Sequence, residues 1–265
     1  MQKVNNNSIL RECFNVGIFV SLFLCFIWPL GGLTVALCTV LNKNQANERR
    51  LIYLIVSLSF FLAYINTTKT ASSDTIHYLN WYNDIDRSNP LYSFLFYRGT
   101  YSIAEPLFAI ISIAINYLTS GNKTGYIFFC TFIMYFLQLY AIYIVAKKYE
   151  VEKKYIVCLL LMLAFINPLF IQSVHALRQM LATAFLMLAI ANRVVYGKNS
   201  VGILIAAFLT HVSVMVYLPL VILSMCYKEL TIRRALSVVA LVFLMIMASN
   251  NIGILMGGMG SEILS

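Results

Sequence analysis

Apolar runs of about twenty residues, separated by short basic turns, recur along this chain and leave few folds open to it. A helix needs ~20 predominantly apolar residues to cross a ~30 Å hydrocarbon core. Phe14 to Leu41, Leu51 to Asn66, Tyr126 to Ala146, Pro168 to Tyr196, Val201 to Cys226 and Ala235 to Met256 reach or approach that length. No run shows the shorter apolar/polar alternation of an outer-membrane strand. Of the 265 residues, 61% are hydrophobic and 11% charged, against roughly 25% charged in an average soluble domain. The expected fold is therefore all-α: a polytopic transmembrane helical bundle of about eight spans, some of them re-entrant or half-helices. The whole of 1–265 is read as one integral membrane domain, with an extracytoplasmic loop at about 67–105.

A net charge of +9 would suggest nucleic acid in a soluble protein. Here the basic residues cluster in turns between spans, which is a topology signal. The turn holding Lys43, Arg49 and Arg50 is assigned to the cytoplasm. Counting spans onward puts the turn Lys147 to Lys154 outside, although it carries four lysines. That conflict disappears if one short segment between Leu91 and Leu118 enters and leaves on the same side. The same logic makes the run around His211 two half-helices. The six cysteines form no CxxC pair, so they read as small core residues and not as a disulfide or zinc framework. The N-terminus shows no A-x-A-like cleavage signal and is read as retained.

Chemistry concentrates in two places. The stretch Gln172 to Ser213 holds two of the three histidines, and Arg178 there has no acidic residue between Gln172 and Tyr196. A cation flanked by apolar sequence faces protein, water or an anion. In one continuous helix, Gln172, His175 and Gln179 share a broad face with Arg178, so the group points into the bundle. A guanidinium fork suits phosphate, and a lipid pyrophosphate is its natural partner; a salt bridge to Asp74 or Glu105, or snorkelling, would also account for it. His211 is either a hydrogen-bonded packing residue or, beside a carboxylate, a base or donor.

The second place is the loop Thr67 to Glu105, with Asp74, Asp84, Asp86 and Glu105 among tyrosines and Trp81. Carboxylates accept sugar hydroxyls and rings cover pyranose faces, although an interfacial aromatic belt uses the same residues. Asp74, His77, Tyr78 and Tyr82 suit one face of a short helix. Glu105-Pro106 begins a helix, which is also ordinary capping chemistry. No GxSxG, HExxH, P-loop or GxGxxG pattern occurs in a usable context. A pre-activated, lipid-linked donor follows, with no metal and no cofactor.

Four motifs, in order, resemble the EpsG/Wzy polysaccharide polymerases: Asp74-Thr75-x-x-Tyr78, Glu105-Pro106-Leu107-Phe108, Arg178-Gln179-Met180-Leu181-Ala182, and His211-x-Ser213. The likeness runs from about Arg49 to Leu223. It implies a multi-pass enzyme of the bacterial inner membrane that joins undecaprenyl-pyrophosphate-linked repeats into O-antigen, capsule or exopolysaccharide at the periplasmic face. It also implies a chain-length regulator and a flippase as partners, and no nucleic acid. By motif position Arg178 holds pyrophosphate, with Gln179, His175 and Tyr78 around the substrate, while Asp74, Glu105 or His211 activates the acceptor hydroxyl. Thr210 departs from the aromatic that commonly precedes the histidine, and the chain stops at Ser265 where relatives usually continue, as a truncated product would. A flippase for an anionic lipid-linked glycan, or a scaffold subunit, are the competing classes.

Overall fold

The computed structural model describes residues 20, 23–41, 48–70, 74–95, 105–165, 167–217 and 221. The chain divides into two compact units, Met1–His211 and Val212–Ser265. In the first, the described elements are helices: α1 (Pro29–Leu41), α2 (Glu48–Thr67), α3 (Asp74–Asn83), α4 (Pro90–Leu95), α5 (Pro106–Thr119), α6 (Lys123–Lys148), α7 (Lys153–Ala164), α8 (Asn167–His175), α9 (Leu177–Tyr196) and α10 (Val201–Thr210). In the second, a 3-10 helix covers Val212–Tyr217. Ala235 to Met256 and the cysteines Cys13 and Cys226 lie outside the described residues.

Three helices are long and apolar enough to cross a membrane: Arg50–Thr67, Lys123–Lys148 and Leu177–Tyr196. The α1, α5 and α10 helices are apolar but shorter, so the count of about eight spans is not reached among the described residues. The expected long first span is interrupted at Trp28, because Pro29 has no N–H to continue the ladder.

The α6 helix is the central post, with α2 on one side and α9 on another. Both run in its direction. The Phe60 ring centroid lies 4.8 Å from that of Phe128, and nearly two turns later Asn66 faces Tyr135. Along α9, Met187 to Val194 line a groove of about 450 Å³ with Ala141 to Tyr149 of α6. The chain must therefore return between α2 and α6, through α3 and α5. This corrects the expected topology: with α2 and α6 running the same way, Glu48 and Lys148 stand at opposite ends of the pair, so the turns before α2 and after α6 do not share a face.

Two further expectations change. The helix expected over Pro168 to Tyr196 breaks at Ala176 (φ −113°, ψ 46°) into α8 and α9. Of the four described cysteines, Cys25 and Cys130 are core residues while Cys38 and Cys158 are exposed; an apolar helix face toward lipid accepts a thiol as readily as the core does.

Candidate active site

The Glu105 carboxylate joins three separate helices. It sits at the start of α5, where Pro106 occupies the first turn and the acid makes no side-chain cap. Proline brings no N–H to be capped, so the carboxylate is free to point elsewhere. Its Oε2 accepts from Arg178 Nη1, and its Oε1 accepts from His211 Nδ1. These partners lie 73 and 106 residues away in sequence. Glu105 is 7% exposed. Burial pushes its carboxyl up, but the hydrogen bonds from His211 and Arg178 outweigh burial and hold it below the ordinary carboxylate value.

Each partner is delivered by a helix end. Arg178 lies in the first turn of α9, after the break at Ala176. A cation is disfavoured at that end of the helix dipole, and the Glu105 carboxylate compensates. The break also frees the Val174 carbonyl at the end of α8, which accepts from the Thr75 hydroxyl of α3 at 3.2 Å. His211 caps the C-terminal end of α10 in an extended conformation (φ −162°, ψ 132°). Its neighbour Thr210 is fully buried and returns its hydroxyl to the Ala206 carbonyl at 2.7 Å, so this small residue needs no partner from another helix.

The α3 helix lies over the guanidinium. Arg178 Cζ is 5.2 Å from the Tyr78 ring centroid and 5.6 Å from that of Trp81, within the range of a cation–π contact. Burial raises the Tyr78 phenol further above neutrality, so it stays a neutral hydrogen-bonding group. Tyr78 is also packed edge-on against Phe108 of α5, at 6.1 Å. Below it, Tyr82 stacks on Tyr126 at 4.2 Å and bonds Thr119 at 2.5 Å. Beyond α3, Arg87 Nε donates to Asn116 Oδ1 at 2.8 Å, and the Asp86 carboxylate accepts from the Ser88 N–H and hydroxyl. The loop is thereby tied to α5.

Several expected site residues stand elsewhere. Asp74 is exposed at the start of α3 and makes no hydrogen bond or ion pair among the described residues. Gln172 and Gln179 are exposed as well, because the break at Ala176 takes away the common face that a continuous helix would have given them. His175 is half-buried, with Nδ1 3.5 Å from the Thr75 hydroxyl, and His77 is exposed against Trp81, their centroids 6.1 Å apart. Trp81 is the residue that sequence reasoning undervalued. Its position one turn after Tyr78 on α3 was the available signal.

A model of the EpsG family matches residues 50–264. The chain belongs to the EpsG family. No curated protein and no solved structure matches it. As an EpsG-family chain with several apolar helices, it is a multi-pass membrane protein of polysaccharide biosynthesis. The family match covers all three members of the Glu105, Arg178 and His211 junction, in which two ion pairs share one carboxylate.

Proposed function

We propose that this EpsG-family chain is a polysaccharide polymerase, joining oligosaccharide repeats carried on undecaprenyl pyrophosphate at the outer face of the inner membrane. The observation that carries this is the Glu105 carboxylate held between Arg178 and His211. With Nδ1–H donated to Glu105, the imidazole presents Nε2 as the acceptor for a proton. The Glu105 charge also stabilises the imidazolium that forms. Glu105 thus orients the base, and His211 acts as the base.

The acceptor sugar hydroxyl attacks the anomeric carbon of the growing chain. A glycosidic C–O bond forms, the bond from that carbon to the pyrophosphate oxygen breaks, and the hydroxyl proton passes to His211 Nε2. Undecaprenyl pyrophosphate departs with the electron pair. Arg178 spends Nη1 on Glu105 and its side chain keeps 14% exposure, so the guanidinium fork retains a face for phosphate oxygens. The rings of Tyr78 and Trp81 hold it in place. Positioning and charge neutralisation supply the rate, since no covalent intermediate is required.

Charge supports the sidedness. The α6 and α9 helices end together, where Lys147, Lys148, Lys153, Lys154, Arg193 and Lys198 gather. Set against Lys43, Arg49 and Arg50 before and at the start of α2, this larger group is taken as the cytoplasmic one by the positive-inside rule, which reverses the assignment of the Lys43 to Arg50 turn made from the sequence. The opposite end of α9, which carries Arg178, then faces outward.

An Arg178→Ala strain should lose long glycan chains and accumulate single lipid-linked repeats on the outer leaflet. Loss of those outer-leaflet repeats would instead indicate a flippase. Full-length glycan from Arg178→Ala would remove the proposed role of the guanidinium.

A further inference from the structure

Lys69 follows directly on α2, and its ammonium is turned back onto the protein. It donates to the Phe170 carbonyl, lies 3.4 Å from the Ser173 hydroxyl and sits 3.5 Å from the centroid of the Phe170 ring. Among the described residues no carboxylate is within ion-pair distance of it. Burial lowers the amine to about 8. Lys69 is half-buried, so its ammonium stays within reach of solvent while facing no fixed counter-charge among the described residues.

Behind it stands a second anomaly. Asn66 and Ser173 are 0% exposed and Tyr135 is 2% exposed. Ser173 Oγ donates to the Phe170 carbonyl at 2.7 Å and lies 3.2 Å from Asn66 Oδ1. The Tyr135 hydroxyl faces both Asn66 and Ser173, yet neither it nor the Asn66 Nδ2 has a well-aligned hydrogen-bond partner among the described residues. Buried polar groups are almost always paired. Donors are therefore in surplus: an ammonium, an amide and a phenol against acceptors already in use. A trapped water could satisfy the amide and the phenol, but it would leave the charge unmatched. An oxyanion satisfies donors and charge together.

We propose that Lys69, backed by Asn66, Ser173 and Tyr135, forms a second oxyanion subsite for a phosphate or diphosphate group, separate from the Glu105, Arg178 and His211 junction. Naming a lipid diphosphate as the source rests on the polymerase reading, in which donor and acceptor each bring one. Ser173 lies in the last turn of α8 and Arg178 in the first turn of α9, five residues on across the break at Ala176, so the two cations lie on either side of that break. A subsite at Lys69 gives the second diphosphate its own cation.

The test uses the purified full chain in lipid nanodiscs with its lysines reductively 13C-methylated, so that the amine of Lys69 is read directly by NMR; Lys69→Arg identifies its signal. Inorganic pyrophosphate and a short-chain polyprenyl diphosphate are added in separate arms. Saturation should move the titration of Lys69 upward from about 8 in the native chain, and equally in Arg178→Ala. Lys69→Met should weaken binding at least ~10-fold in the Arg178→Ala background, and Lys69→Arg should retain it, because an oxyanion needs the positive charge. A response to both ligands assigns the subsite to the diphosphate itself; a response to the polyprenyl form alone assigns it to the lipid. An unmoved Lys69 at saturation, or undiminished binding by Lys69→Met, overturns the subsite. These are binding results, so a failure to form glycosidic bonds would count against the polymerase and leave them standing.

Discussion

Replacing Glu105 with glutamine keeps the side-chain shape and removes the charge that Arg178 and His211 share. Glu105 is 7% exposed, and the side chains of Arg178 and His211 are 14% and 21% exposed. Little water can take the carboxylate's place. Removing one partner of a buried ion pair costs about 3–5 kcal/mol, chiefly through the charge left behind. The remaining access of Arg178 to water and the amide oxygen of glutamine, which still accepts one bond, reduce this to about 2–3 kcal/mol. For a chain of this size ~1 kcal/mol corresponds to about 2–4 °C in Tm. Glu105→Gln should therefore melt about 4–12 °C lower, followed as monodisperse protein remaining after heating in detergent. In a double-mutant cycle with Arg178→Met, the pair should be less damaged than the sum by at least ~1.5 kcal/mol, since the charge that needed Glu105 is gone. If Glu105→Gln melts with the native chain, or if the two substitutions simply add, the junction is not an energetic unit.

The remaining predictions concern its chemistry. His211→Ala should lower the polymerisation rate about 10²–10⁴-fold, the range of a lost general base, while the lipid-linked substrate still binds; an undiminished rate would exclude His211 as the base. Asp74→Asn should leave glycan length within about twofold, because Asp74 is exposed and unpaired among the described residues; loss of polymer would restore it to the catalytic group. Acid should uncouple the junction. Because the Glu105 carboxyl is held below its ordinary 4.5, its stabilisation is complete above that value and is lost as pH falls through the lower folded value. Thermal stability of the native chain should fall over that acid window, and Glu105→Gln should show the smaller fall.

The helix over Asp74 to Asn83 and the one begun by Pro106 were legible because spacing and proline act locally. The break at Ala176 was not. No proline or glycine marks it, and the Val174 carbonyl that it frees is taken up by Thr75, 99 residues away in sequence. A continuous helix would have gathered Gln172, His175 and Gln179 beside Arg178, and the break disperses them. The resemblance singled out Glu105, Arg178 and His211 by motif, but periodicity cannot report that residues 73 and 106 positions apart share one carboxylate. The direction of α2 relative to α6 escaped for a similar reason. Basic turns specify which end of a helix faces the cytoplasm, whereas the short apolar α5 is ambiguous between returning the chain and folding back. In the sequence Lys69 is one more lysine beside an apolar run. Its distinction lies in the buried Asn66, Ser173 and Tyr135 behind it, which only the fold brings together.

The most direct test of the central claim is a reconstitution. The purified chain in nanodiscs would be given a synthetic polyprenyl-diphosphate-linked repeat, and its products separated by size alongside those of Glu105→Gln and His211→Ala. A ladder of multiples of the repeat, with polyprenyl diphosphate released one for one with each bond and both variants deficient, is the expected result. A native chain that binds the repeat and releases no polyprenyl diphosphate, or variants that build the same ladder, would contradict it.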